Sequence, residues 1–323
     1  MNNIENIEEY LRNDIVEVED CMRSQANGQF PAIKAALDLL VASGGKRIRP
    51  SISLLIGKML NAPRDQLITL ASAIELLHTA TLVHDDLIDG ALFRRGNPTL
   101  NAKWSSAATI LTGDFLFSCA ARLAADTNSI SVMKIFAKTL ITIVNGEISQ
   151  LMDSSTIDNQ SAYIDRIYSK TASLFETSAY TAALISPVNP NTMDTFRSYG
   201  YNIGMAFQII DDILDYIGDK NNVGKPVGSD LRHGIITLPL ILYAKKHPED
   251  EDVATIQKFP EQVAGQLVDD VINKIRKSSA IDDACLEAKN FTDQAISNLS
   301  HFDESKEKIL LQDLSIYLLN RIK

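Results

Sequence analysis

The chain has 323 residues, 45% of them hydrophobic and 22% charged, with a formal net charge of −10. That is ordinary globular material, long enough to bury a large core, and its acidic balance argues against a nucleic-acid backbone as partner, which demands a basic field. Three widely spaced cysteines, Cys21, Cys119 and Cys285, lie in helix-like sequence with no C-x-x-C pattern, so they read as reduced thiols rather than a disulfide framework or zinc site.

The opening MNNIENIEEYLRNDIVEVED is acidic and amphipathic, with Ile4, Ile7, Leu11, Ile15 and Val18 at helical spacing. It lacks the basic start and apolar stretch of a signal peptide, and no uninterrupted run approaches membrane-spanning length. The expectation is a cytoplasmic protein with no membrane span. Ile33, Leu37, Leu40 and Val41 continue the pattern. Further helices are predicted at roughly 51–60, 65–89, 104–125, 129–152, 160–185, 192–218, 235–246, 261–277, 280–299 and 303–322. Strand-like alternation is scarce, so the fold class is all-α. Breaks fall at Gly44-Gly45, Asn61-Ala62-Pro63, Gly96-Asn97-Pro98, Ser186 through Pro190, Gly218 to Gly228 and His247-Pro248. None is a long linker, and residues 1–323 read as one domain. The more charged stretch from about 248 to 277 reads as a peripheral pair of helices without catalytic content.

Two aspartate clusters of one design stand far apart: Asp85, Asp86 and Asp89 in LVHDDLID, and Asp211, Asp212 and Asp215 in FQIIDDILDY. Positions i and i+4 share a helix face, so Asp85 stacks with Asp89 and Asp211 with Asp215 as two carboxylate combs. Ionised carboxylates among Leu82, Val83, Leu87, Ile209, Ile210 and Ile213 are costly unless a cation meets them. Magnesium suits this donor set, since it is usually held by one or two carboxylates plus substrate phosphates. One such cluster alone could be a solvated helix face; its repetition in apolar helices points to metal and diphosphate.

Basic groups interleave with the combs. Ser43-Gly44-Gly45-Lys46-Arg47-Ile48-Arg49-Pro50 joins glycine amides to three cations before a helix, a setting suited to an anion. It is not a Walker loop. Arg94-Arg95 follow the first comb, and guanidinium forks suit phosphate oxygens. His78 lies two turns before Asp85 on the same face. Gln150, Lys170-Thr171, Phe207-Gln208 and Lys225 are weaker signals singly.

In this order the residues match a family. Through GGKRIRP, ELLHTATLVHDDLIDGALFRRGNPT, GDFL, KTA, FQIIDDILD and GKPVGSDLRHGIITLPL, spanning roughly residues 40 to 245, the chain resembles the all-trans polyprenyl diphosphate synthases, and most of all the catalytic component (component II) of bacterial heptaprenyl diphosphate synthase. The resemblance implies an isoprenoid synthase type helical bundle around a deep central cavity with both combs at its mouth, and commonly a homodimer. It implies Mg2+, three ions in the substrate-bound state, on Asp85, Asp89 and Asp211, with Asp86, Asp212 and Asp215 supporting metal waters. Arg94, Lys170 and Lys225 would neutralise the allylic diphosphate. Lys46, Arg49, His78 and Arg95 would meet isopentenyl diphosphate, with Phe207 lining the reacting end. Lys170, Thr171 and Gln208 are the catalytic candidates, the last two stabilising an allylic cation.

The reaction so implied is magnesium-dependent condensation of isopentenyl diphosphate with an allylic diphosphate of the farnesyl or geranylgeranyl class to a medium or long all-trans polyprenyl diphosphate. Metal and cations would stabilise the departing diphosphate while the alkene attacks the cation. Ala80 and Thr81, one turn below the first comb, are small where short-chain relatives carry aromatics, which favours products longer than farnesyl. Met133, Phe136, Ile141 and Ile143 could floor the tunnel deeper, leaving a geranylgeranyl product open. Gly90 and Ala91 replace acidic residues of many relatives, Ile235 replaces a lysine, and Asn320 through Lys323 resembles the basic tails of relatives. A small accessory subunit is an open partner. The rivals are a class I terpene cyclase, which needs no second diphosphate site, and a non-catalytic prenyltransferase subunit, which would lose a comb. A calcium-binding helical protein lacks its D-x-D-x-D-G loop here.

Overall fold

The computed structural model describes residues 3–94, 96–152, 159–218, 227–258 and 265–322. The chain is all-α: α1 (Asn3–Ser24), α2 (Pro31–Ala42), α3 (Ile48–Met59), α4 (Arg64–Ile88), α5 (Leu100–Lys103), α6 (Ser106–Asp126), α7 (Ile130–Met152), α8 (Gln160–Ile167), α9 (Ser173–Leu184) and α10 (Pro190–Ile217). The helices Ser229–Arg232, Leu238–Lys246, Glu251–Lys258, Gly265–Lys277, Ala280–Asn298 and Lys306–Leu319 follow. Among the described residues the sheet content is one hairpin, with Phe93 opposite Pro98 and Arg94 opposite Asn97.

Local signals set the boundaries. The Ser105 hydroxyl accepts the Ala108 amide at 3.3 Å and starts α6 two residues later than the apolar pattern suggests. Asn189 does the same for α10, its Oδ1 3.0 Å from the Thr192 amide, with Pro190 in the first turn. The expected helix over 160–185 is interrupted by a π turn at Tyr168–Ala172, a geometry apolar spacing does not announce.

Two compact units divide the chain. The first comprises residues 1–140, 174–200 and 301–314. Within it α4 packs on α1, α3 and α6, and its Leu70, Ile74, Leu77 and Ala80 are fully buried. The second comprises residues 141–173, 201–300 and 315–323. Its core gathers Tyr163, Met205, Ile209, Ile213, Tyr216 and Leu238 with Val271 and Ile275.

α4 and α6 are long and apolar enough to cross a membrane by length and composition, which whole-helix hydropathy shows better than a search for unbroken runs. In α4, 67% of the most apolar window is buried inside the protein, as in a core helix packed on three others. Ile141, a candidate tunnel floor, is instead 63% exposed, whereas Phe136 and Ile143 are buried.

Candidate active site

Both combs end helices. Asp85, Asp86 and Asp89 close α4: the Asp89 amide bonds to the Asp85 carbonyl at 2.8 Å, and Gly90, at φ +63°, takes the left-handed conformation that stops the helix. The glycine that replaces an acidic residue of relatives is therefore the helix terminator. Asp211, Asp212 and Asp215 occupy the last two turns of α10. Neither final turn holds a basic residue, so the negative end of each helix dipole adds to the carboxylates. Each comb thus gathers carboxylates at the negative end of a helix dipole.

Inside each comb the three carboxylates differ. Asp85 and Asp211 are partly exposed, while Asp86 and Asp212 are buried. Asp86 accepts Arg94 Nε at 2.8 Å, which folds the Phe93–Pro98 hairpin back onto α4. Asp212 accepts the Tyr163 hydroxyl at 2.7 Å on Oδ2 and Gln208 Nε2 at 2.8 Å on Oδ1. Burial, with Asp230 adding repulsion, pushes the Asp212 carboxyl up to about 8, although both donors oppose the rise. Asp215 accepts the amides of Ser229 and Asp230, both at 3.0 Å, and so caps the short helix Ser229–Arg232. Asp211 carries a cation: Arg321 Nη1 lies 2.8 Å from its Oδ1, an ion pair rather than an aligned hydrogen bond, and the same guanidinium sits 5.1 Å over the Phe207 ring.

In the first unit, Arg49 Nη1 lies 3.1 Å from His78 Nε2, and its guanidinium stacks 4.4 Å over the Phe175 ring. An arginine can only donate, so His78 accepts as the neutral tautomer with its proton on Nδ1. Lys46 is exposed at the head of the same segment. The middle cation, Arg47, turns inward: it bonds to Glu75 at 2.8 Å, Glu19 at 3.0 Å and the Val41 carbonyl at 2.7 Å. Burial opposes its charge, yet Glu75 and Glu19 hold its pKa above the ordinary guanidinium value. Its backbone is left-handed at φ +45°. Nothing in the order of residues separated this anchor from the two cations beside it.

In the second unit, the π turn carries Lys170 and Thr171. Such turns shift side-chain phase by an extra residue and recur at functional sites. α7 reaches it closely enough that a Cβ on Gly146 would come 2.7 Å from Ser169 Cβ, so only glycine fits. Lys170 pairs with Glu147 at 3.0 Å and reaches Gln150 at 3.4 Å. Thr171 donates to Gln208 Oε1 at 2.7 Å. Ala80 is fully buried and Thr81 partly exposed, its hydroxyl on the His78 carbonyl at 2.8 Å. Arg95, Lys225 and Lys323 lie outside the described residues. Sequence reasoning missed Tyr163 altogether; a buried tyrosine has no motif.

Among the described residues no three His, Cys, Asp or Glu side chains converge into a preformed metal cluster. The residues nonetheless fit magnesium, which takes one or two carboxylates and completes its shell with water and phosphate: Asp85 and Asp89 share a face, and Asp211 already holds a cation. A helical protein with two dipole-reinforced aspartate combs and phosphate-suited cations has the donor set that a metal-bound diphosphate calls for.

The chain belongs to the Polyprenyl synthetase family, whose model matches residues 30–275, and with it to the prenyltransferases. It is 36% identical over 311 residues to heptaprenyl diphosphate synthase component 2 of Geobacillus stearothermophilus, covering 96% of each chain. To octaprenyl diphosphate synthase of Haemophilus influenzae it is 34% identical over 320 residues, 98% of this chain and 97% of that one. The crystal structure of a polyprenyl synthase from Caulobacter crescentus, complexed with calcium and isoprenyl diphosphate, superposes with a TM-score of 0.91 at 31% identity over 98% of both chains. Relatives of this kind make medium and long polyprenyl diphosphates.

Proposed function

We propose that this chain condenses isopentenyl diphosphate with an allylic diphosphate of the farnesyl or geranylgeranyl class, using magnesium, and makes a medium or long all-trans polyprenyl diphosphate. The observation that carries the reading is the pair of combs, each at a helix C-terminus with its second carboxylate anchored inward and its first left partly exposed. The whole chain, residues 1–323, acts as one catalytic domain in this proposal.

Asp85, Asp89 and Asp211 would hold the ions, three with substrate bound, while Asp86, Asp212 and Asp215 keep the combs in place and orient metal waters. Magnesium, when bound, neutralises the allylic diphosphate and makes it a better leaving group. Lys170 and Arg94, with Lys225, add positive charge to that diphosphate. Lys46 and Arg49, with His78 and Arg95, bind the diphosphate of the second substrate, and Phe207 borders the reacting end. Thr171 and Gln208 turn oxygen dipoles on the cation that forms when the allylic C–O bond breaks. The alkene of isopentenyl diphosphate attacks that cation, and released diphosphate takes the proton lost from the adduct. No protein nucleophile is required.

The proposed setting is a cytoplasmic homodimer. A stripe of Ile141, Val144, Ile148 and Leu151 on α7, each at least 45% exposed, is the apolar face that supports pairing with a second copy. An accessory subunit is a further candidate partner, since one relative is named as component 2.

The test is to incubate the purified chain with magnesium, isopentenyl diphosphate and farnesyl diphosphate and to weigh the products by mass spectrometry. Products longer than geranylgeranyl support the proposal, and geranylgeranyl alone corrects the chain length. Absence of elongation with farnesyl and geranylgeranyl starters, with and without a component-1-type subunit, refutes it.

A further inference from the structure

Four side chains of the second unit form one hydrogen-bonded line. Tyr163 on α8, 1% exposed, donates to Asp212 Oδ2 at 2.7 Å; Gln208 Nε2 donates to Asp212 Oδ1 at 2.8 Å; and Thr171 donates to Gln208 Oε1 at 2.7 Å. We propose that Tyr163 is a positioning residue: through Asp212 it fixes which way the Gln208 amide points, and so which pole of the Thr171 hydroxyl faces the reacting carbon. The inference rests on the prenyltransfer reading above.

The argument is one of polarity. A glutamine amide has a donor end and an acceptor end of nearly the same shape. Oδ1 of Asp212 takes the donor end, so the carbonyl end faces Thr171. The single hydroxyl proton of Thr171 is thereby committed to Gln208, and its oxygen offers only lone pairs elsewhere, the pole that favours a carbocation. A flipped amide would donate to Thr171 and release that proton to point outward, presenting the wrong pole to positive charge.

Tyr163 is what secures Asp212. The carboxylate is 3% exposed, so solvent has little access to replace a lost donor at Oδ2, and an unsatisfied buried oxygen would compete for the Gln208 amide. The hydroxyl leaves the reacting atoms untouched; it acts through two intermediaries.

Tyr163→Phe keeps the ring and removes the donor. The expected result is kcat lowered about tenfold, the scale of one lost net hydrogen bond, with KM for both diphosphates changed less than about twofold. In a Gln208→Ala background the same substitution should have no further effect, because the residue it orients is gone. An unchanged kcat, or an equal loss in both backgrounds, overturns the proposal. If Tyr163→Phe does not fold, 4-fluorophenylalanine at position 163 fills the place of the hydroxyl without donating; it must lower kcat only when Gln208 is present, and any other pattern overturns the proposal. Wild-type elongation, measured in parallel, separates the cases: without it the prenyltransfer reading fails and Tyr163 falls with it, whereas with it additive losses sink Tyr163 alone.

Discussion

Arg47 offers the sharpest test of how the GGKRIRP segment is built. Its side chain is 9% exposed and that of Glu75 is 6% exposed, with 2.8 Å between them. Replacing Arg47 with Met removes the partner of a buried carboxylate, which costs about 3–5 kcal/mol when a buried pair is broken from one side. Glu19, 23% exposed, regains water and adds little. The left-handed backbone remains strained with methionine, so no relief is expected there. With ~2 °C per kcal/mol for a large chain, Arg47→Met should lower Tm by about 6–10 °C. The double variant Arg47→Met/Glu75→Met deletes the stranded charge and should recover more than half of that loss, since apolar replacement of both members of a buried pair is often neutral. Thermal unfolding followed by circular dichroism reads both effects. KM for isopentenyl diphosphate should rise in the single variant as Lys46 and Arg49 lose their fixed frame. A single variant within about 1 kcal/mol of wild type, or a double variant no better than the single, would show that Arg47 is a solvated cation and refute the anchor.

Three further outcomes are expected. Thr81→Phe should shorten the product in the mass-spectrometric assay by filling space one turn below Asp85, whereas Ala80→Tyr should first cost about 1–3 kcal/mol of stability, because position 80 is fully buried and overpacks; an unchanged product with Thr81→Phe would place the stop elsewhere. Arg321→Ala, in a background with Asp85 and Asp89 changed to Ala, should tighten Mg2+ binding about threefold to fivefold by calorimetry, the worth of one partly exposed ion pair, and weaker binding would mean that Arg321 helps the metal rather than standing in for it. Lys274 bonds to both oxygens of Asp250 at 2.8 Å; burial is the largest influence and opposes the Asp250 charge, but Lys274, Tyr243 and the amides of Val253 and Asp252 together hold that carboxyl below the usual range. A carboxylate with a depressed folded pKa adds stability above its unfolded value near 4 and loses it as pH falls through the folded one. Lys274→Met should therefore cost about 1 kcal/mol at pH 7 and nothing in strong acid; a cost independent of pH would assign Lys274 a packing role instead.

Much of the molecule is written in local signals. Apolar spacing located α3, α4, α6, α7 and α10 to within a few residues, because those helices bury a continuous face and their caps are encoded nearby, as at Ser105, Asn189 and Gly90. The combs were legible for the same reason: i and i+4 carboxylates share a face in any helix, and charge among leucines and isoleucines demands a partner. What the order of residues could not reveal is the direction of each side chain once the helices pack. Asp85 and Asp86 are neighbours in sequence, yet packing leaves one partly exposed and buries the other against Arg94. Lys46, Arg47 and Arg49 are equivalent as letters, and only the positions of Glu19 and Glu75 turn the middle one inward. The π turn that presents Lys170 and Thr171, and the line from Tyr163 to Thr171, depend on residues up to 49 positions apart. Spacing decides what a helix presents on each face; tertiary packing decides which of those groups meets solvent, which is anchored, and which proton points where.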